Sequence, residues 1–364
     1  MVKRKVRLLA YVLTAAVTSV AGLTGCNSQA GQGDDGAGGK SAGEICPTAG
    51  TTGTIKIAMS SPIQVFAPVT VGIASGAFKA AGLDVQITRI PLADAVPLVA
   101  QGQLDGQVTT WSAGHFNVVA TGVDMKFIAP LERAQPTAPG TPMQGYWSRT
   151  EIVGSAENPD LSKLKGKTVA SPSGGTGVGG KILSDALAKV GLGLGDVKLK
   201  TIAGADALAA LENGAVDAAW IGSPTDVEAG KRPNLTQIAT YAPGVTGASV
   251  IAGRSLLNRP EVLVRFFQVL QSVTQKYLSG DYRKNPESVA VIAKASQTPE
   301  DVIRQSALIR FDPKFSMDGV GDFLRSLQDF TLKQGGLDYK DPLPAGKLMD
   351  TRFSEALAVC RSIS

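Results

Sequence analysis

The chemistry this chain could support is concentrated in one run of small residues. Residues 171–180 are almost all Ser, Thr and Gly with one Pro, and they include Ser171, Ser173, Gly174, Gly175 and Thr176. Apolar residues then recur at Ile182, Leu183, Ala186, Leu187 and Val190, one face of a helix. Gly191 is placed to end it. A helix that opens on such a loop presents unpaired N–H groups and the positive end of its dipole, a seat for an anionic or carbonyl-bearing group. An ordinary strand-to-helix turn has the same composition, so the loop alone leaves both readings open.

Two nucleotide motifs lie in the same run. Gly175-x-Gly177-x-x-Gly180 follows a strand and opens a helix, as a dinucleotide fingerprint does. The acidic partner is misplaced, because Asp196 precedes the next strand instead of ending it. Gly175-x-x-x-x-Gly180-Lys181 approaches a phosphate-binding loop, but Ile182 stands where a hydroxyl must hold magnesium. We therefore expect no nucleotide and no other cofactor.

Hydrolytic and metal chemistry fare worse. His115 is the one histidine, read as structural or solvent-facing. There is no Gly-x-Ser-x-Gly elbow and no Cys/His cluster for a metal. Asp105 and Asp217 occupy equivalent places before two strands and read as turn residues, not as a catalytic pair.

The chain's ends carry a different signal. Lys3, Arg4, Lys5 and Arg7 precede an apolar run from Leu8 to Val20 and then Leu23-Thr24-Gly25-Cys26. This is an export signal closing on a lipobox-like tetrapeptide, with Cys26 the lipidation site. The net charge of +5 less those four charges leaves +1, so nothing argues for nucleic acid. Residues 26–53 read as a flexible tether. Cys46 and Cys360 remain, placed to pin both ends of the folded body by a disulfide; two free thiols are the alternative.

Between these ends the elements alternate. Strands are expected at 54–60, 83–90, 104–110 and 125–130, with helices between them. Three prolines interrupt 131–148, and the alternation restarts with strands at 168–170, 197–202, 216–221 and 235–241. This order predicts parallel sheets covered by helices. A weak repeat accompanies it: Gly102 and Asp105 recur as Gly214 and Asp217, both at an offset of 112. Two similar α/β lobes follow from this, near 54–147 and 148–243. From 258 onward helical faces such as Leu263, Phe266, Phe267 and Leu270 are expected to cover the first lobe.

In order, IKIAMSS at 55–61, GIASGAFKAAGLDV at 72–85, LKGKTVASPSGGT at 164–176 and ENGAVDAAWIGSP at 212–224 resemble the solute-binding proteins of ABC importers in the nitrate, sulfonate, taurine and thiamine-precursor (NMT1/THI5-like) group. The resemblance covers about residues 54–290. It implies an α/β, periplasmic-binding-protein type II fold with a ligand cleft between two lobes. The expected domains are a signal at 1–25, the tether, lobe 1 at 54–147 plus 244–364 with the C-terminal helices, and lobe 2 at 148–243.

Ligands of open α/β sheets bind beyond the carboxyl ends of the strands. Those ends supply Ser60, Ser61, Thr109, Thr110, Trp111 and Ser112 from lobe 1, and Ser171, Ser173, Gly174, Gly175, Thr176, Trp220 and Ser223 from lobe 2. Arg133 and Arg149 are weaker candidates to neutralise an anion. The expected function is capture of a small organic anion (sulfonate-, taurine- or nitrate-like) by lobe closure, without catalysis. Hinges are expected near 146–149 and 243–247. The expected protein is a monomer, lipid-anchored outside the cytoplasmic membrane and partnered by a permease. A pyrimidine or aromatic ligand, an exported enzyme of this fold, and a sensor or adhesion module are the alternatives.

Overall fold

The computed structural model describes residues 40–60, 62–133, 143–172, 174–242 and 247–360. The expected signal, Cys26, Ser61, Ser173 and most of the second expected hinge lie outside them. Among the described residues no helix is long and apolar enough to cross a membrane.

Among the described residues ten strands build two five-stranded sheets. The first holds β1 (Gly53–Met59), β2 (Leu83–Arg89), β3 (Gly106–Thr109) and β4 (Met125–Pro130). The second holds β5 (Gly145–Arg149), β6 (Thr168–Ala170), β7 (Lys198–Lys200), β8 (Ala218–Ile221) and β9 (Leu235–Thr240). The tenth, β10 (Ser249–Gly253), returns to the first sheet. Their orders are β2-β1-β3-β10-β4 and β7-β6-β8-β5-β9.

Neither sheet is all parallel as expected. β1 pairs in parallel with β2 and β3, and β6 with β7 and β8. β10 lies antiparallel between β3 and β4, and β5 antiparallel between β8 and β9. The first expected hinge, 146–149, lies inside β5, and β10 was not among the expected strands. Its five residues are all buried, so no polar alternation marks them as a strand.

The repeat is realised atom for atom. Asp105 takes the Lys56 N–H on Oδ2 at 2.8 Å, and Asp217 takes the Thr168 N–H on Oδ2 at 2.9 Å. Lys56 and Thr168 are themselves 112 apart. Each other carboxylate oxygen meets an arginine, Arg259 on Asp105 and Arg149 on Asp217. The two aspartates are turn residues, as their position before a strand implied. Arg149 also donates to the Leu211 and Val216 carbonyls. It is therefore fixed at the end of the sheet opposite the strands' carboxyl ends, and cannot neutralise a ligand there.

Helix Pro260–Tyr277 covers lobe 1 as expected, with Phe266 stacked on Phe78 at 5.0 Å. Helix Val320–Lys333 does not keep to lobe 1. Leu324, Leu327 and Phe330 join one apolar cluster with Phe116 and Phe127 of lobe 1 and Val178 and Ile182 of lobe 2. Cys46 is bonded to Cys360, with the Cα atoms 5.3 Å apart. The bridge ties the segment before β1 to the end of helix Arg352–Val359.

Replacing Asp105 or Asp217 by Asn turns an amide N–H₂ or a rearranged carbonyl toward the clamped backbone N–H. Each change should cost about 1–3 kcal/mol in urea unfolding. Equal stability of both variants and the parent would remove the clamp from the account.

Candidate functional site

The carboxyl ends of the parallel strands of both sheets enclose a cavity of about 550 Å³. Ser60, Thr109, Thr110 and Ser112 line it from lobe 1, with Arg89, Ile90, Pro91 and Leu92 at the end of β2. Pro172, Thr176, Thr201 and Ile202 line it from lobe 2. The walls thus combine hydroxyls with aliphatic surface, the make-up of a small-molecule site.

The single histidine holds one wall in place. The Gln107 amide N–H donates to the Leu92 carbonyl at 2.9 Å, which directs its Oε1 at His115 Nε2, 3.0 Å away. Nε2 therefore carries the proton, and Nδ1 accepts from the Ser112 N–H at 3.1 Å and from its hydroxyl at 2.9 Å. Ser112 caps helix Ala113–Ala120 through these contacts while its oxygen still borders the cavity. Burial pushes the imidazole down to about 3. It is a neutral wall residue.

The glycine-rich loop is explained by packing. Gly177 caps helix Val178–Ala188 at φ 117°, a conformation that favours glycine. A Cβ on Gly180 would run into the Gly175 carbonyl oxygen. Two of the three fingerprint glycines thus have steric reasons to be glycine, with no phosphate required. Pro172 and Thr176 are the described loop residues that border the cavity.

The other expected site residues sit elsewhere. Ser171 is fully buried, with its side chain beside the Tyr146 hydroxyl. Trp111 is 1% exposed and packs on Phe116 and Phe127 in the core of lobe 1. Trp220 is 8% exposed and meets Tyr146 and Tyr241 edge-on. A strand-end indole is large enough to reach back into the core, and both do so instead of forming flat cleft walls. Gly174 and Gly175 do not border the cavity; Gly175 lies against Leu199 and Leu194.

Ser223 serves a second contact between the lobes. Its hydroxyl donates to Gln64 Oε1 at 3.0 Å, and Gln64 donates to the Tyr282 hydroxyl at 3.3 Å. Tyr282 Oη also accepts the Ile309 N–H at 3.1 Å. Arg133 lies beside this contact and donates to the Ser316 carbonyl at 2.7 Å. Gln64, Arg89 and Thr201 were missed from the sequence. The last two end β2 and extend β7, so the strand-end rule applied to every parallel strand would have found them.

A cleft between two α/β sheets, crossed twice by the chain, defines the two-lobed class of binding protein. The structure is similar to the alkanesulfonate-binding protein SsuA of Xanthomonas axonopodis pv. citri, bound to MOPS, with TM-score 0.60 and 16% identity over 83% of this chain and 99% of that one. The nitrate-binding protein NrtA of Synechocystis PCC 6803 matches with TM-score 0.59 and 12% identity, covering 85% and 86% of the two chains. A Candida albicans protein described as having the generic periplasmic binding protein fold matches with TM-score 0.53 and 14% identity, covering 85% and 95%. No curated protein sequence matches the chain. The NMT1/THI5-like family model matches residues 63–280, more than half of the sequence, and the chain belongs to that family.

His115 gives the lobe a defined pH response. Its folded pKa lies below its ordinary value of 6.5, so between about pH 6.5 and 3 the unfolded chain binds a proton that the folded chain does not. Its contribution is present above pH 6.5 and is lost as the pH falls through that window. The stability gap between the parent and His115→Gln should therefore shrink on acidification from pH 7 to pH 4, by roughly 1–3 kcal/mol. A constant gap across urea titrations at both pH values would show that the imidazole is not buried neutral.

Proposed function

We propose that this chain is the extracytoplasmic solute-binding component of an ABC importer. It captures a small organic anion between its lobes and delivers it to a permease, without changing it chemically. The observation that carries this reading is the inter-lobe cavity, lined by hydroxyls from four strand ends and bordered by one cation, Arg89. Hydroxyl and backbone N–H donors can hold a sulfonate-like group, and Arg89 can add a charge-assisted bond. The same kinds of ligand appear in the names of the similar structures, an alkanesulfonate and nitrate.

Lipidation at Cys26 would hold the protein outside the cytoplasmic membrane, where the monomer could exchange solute with its permease. Lobe motion about the two crossings, one before β5 and one before β10 and not at 146–149, which lie inside β5, would open the cavity.

Thermal melts of the mature protein against sulfonates, nitrate, pyrimidines and aromatic acids test this reading. A ligand at 100 times its Kd should add about 2.7 kcal/mol of stability. No shift with any of them, together with turnover of a chromogenic ester or phosphate, would overturn it in favour of an exported enzyme. Arg89→Gln should weaken an anionic ligand about tenfold, the scale of one charge-assisted bond at a part-open site. It should leave a neutral pyrimidine unaffected.

A further inference from the structure

The hydrogen bonds behind the cavity wall fix what that wall can offer a solute. The Leu92 carbonyl sets the Gln107 amide, and Gln107 Oε1 takes the proton of His115 Nε2. His115 Nδ1 is then an acceptor, 2.9 Å from Ser112 Oγ. Two acceptors at that distance would repel, so the Ser112 O–H points at the ring. A serine hydroxyl has one proton and two lone pairs. Helix capping takes at most one lone pair, so Ser112 offers the cavity a lone pair and no proton. Burial lowers the imidazole to about 3, which keeps Nδ1 an acceptor throughout the neutral range.

The rest of that wall has the opposite polarity. Arg89 pairs with Met59 across β2 and β1, one position before Ser60. Ala58 pairs with Gln107 across β1 and β3, two positions before Ser60 and Thr109. Neighbouring strands lie about 4.8 Å apart, so Arg89, Ser60 and Thr109 end three adjacent strands within about 10 Å. A guanidinium has five donors, of which Gln297 takes one at 3.4 Å. Thr109 is 0% exposed, and its hydroxyl has no hydrogen-bond partner. Ser112 is tied back to β3 through His115 and Gln107, over the same strand ends. One cation, one unpartnered hydroxyl and one obligate acceptor thus converge on a single head group.

We propose that the captured solute is an alkylphosphonate in its monoanionic form, R–PO2(OH)−, and that Ser112 is the residue that selects it. This rests on the solute-binding reading above and narrows its small organic anion to one whose head carries a proton. The P–O–H donates to Ser112 Oγ, and the other two oxygens accept from Arg89 and Thr109. A sulfonate or nitrate has no proton at neutral pH and would turn an anionic oxygen onto the Ser112 lone pair, leaving both acceptors unsatisfied. A carboxylic acid that keeps its proton has no charge left for Arg89. Ile90, Leu92 and Ile202 give aliphatic wall for the alkyl group.

Titration calorimetry of the mature protein with ethylphosphonate and ethanesulfonate tests the assignment, since the two share a body and differ in the head-group proton. At pH 6 ethylphosphonate should bind at least about tenfold tighter. Its affinity should fall between pH 6 and pH 9.5 as the second proton leaves. Ethanesulfonate has no proton to lose, so its affinity should stay level and reads any change in the protein itself. Ser112→Ala should erase most of the difference, and Ser112→Thr, which keeps the oxygen, should retain it. Equal affinities at pH 6, or a phosphonate affinity that rises with pH, would overturn the proposal. If Ser112→Ala does not fold, the two pH profiles of the parent decide.

A second arm places the donor and separates this proposal from the broader reading. 2-Hydroxyethanesulfonate carries its donor on the body of the solute, and a gain over ethanesulfonate as large as that of ethylphosphonate would overturn the head-group assignment. Binding of nitrate or a pyrimidine, with neither ethyl compound held, would sink the proposal and leave solute binding standing. Binding of no solute at all would sink the broader reading with it.

Discussion

The antiparallel insertion of β10 between β3 and β4 is the contact on which the rest of the molecule depends. The first sheet has a gap that only a returning chain can fill, because β10 begins after all of lobe 2 has been built. Filling it forces the chain to cross between the lobes twice. The second sheet mirrors the arrangement with β5, which enters directly after the first crossing. The two sheets face each other across an inter-lobe space. The carboxyl ends of β1, β2, β3, β6 and β7 meet there.

Within each lobe an aspartate joins the start of one parallel strand to its neighbour. The carboxylate clamp sits at the opposite end of the strands from the cavity. Serine and threonine can then occupy the carboxyl ends without competing for ion pairs. The His115 network extends the same division of labour, since a neutral imidazole orders Ser112 without placing a charge beside the cavity. Helix Val320–Lys333 spans the lobes and adds apolar surface common to both.

The inter-lobe space is not uniform in polarity. The outer cavity has hydroxyls and an arginine; a second, hinge-side cavity is bordered by two buried carboxylates, Glu132 and Asp226. Between them stands a chain of neutral hydrogen bonds through Ser223, Gln64 and Tyr282.

Much of this was legible in the chain itself. Glycine stops, apolar periodicity and the 112-residue repeat set out two α/β lobes, and hydroxyls at strand ends pointed to the cavity wall formed by Ser60, Thr109, Thr110, Ser112 and Thr176. These signals are local: each depends on the residue type and on the few positions around it. Tertiary structure decided the rest. β10 has no pattern of its own, because a strand buried on both faces shows no alternation. Trp111 and Trp220 turned inward because a side chain's direction depends on the space behind it. Gln64 and Glu132 gain their meaning from partners 115 to 218 positions away. Sequence thus determined which elements form and where polarity accumulates. Only the folded chain decided which polar atoms face one another across the lobes, because that depends on packing between segments distant in sequence.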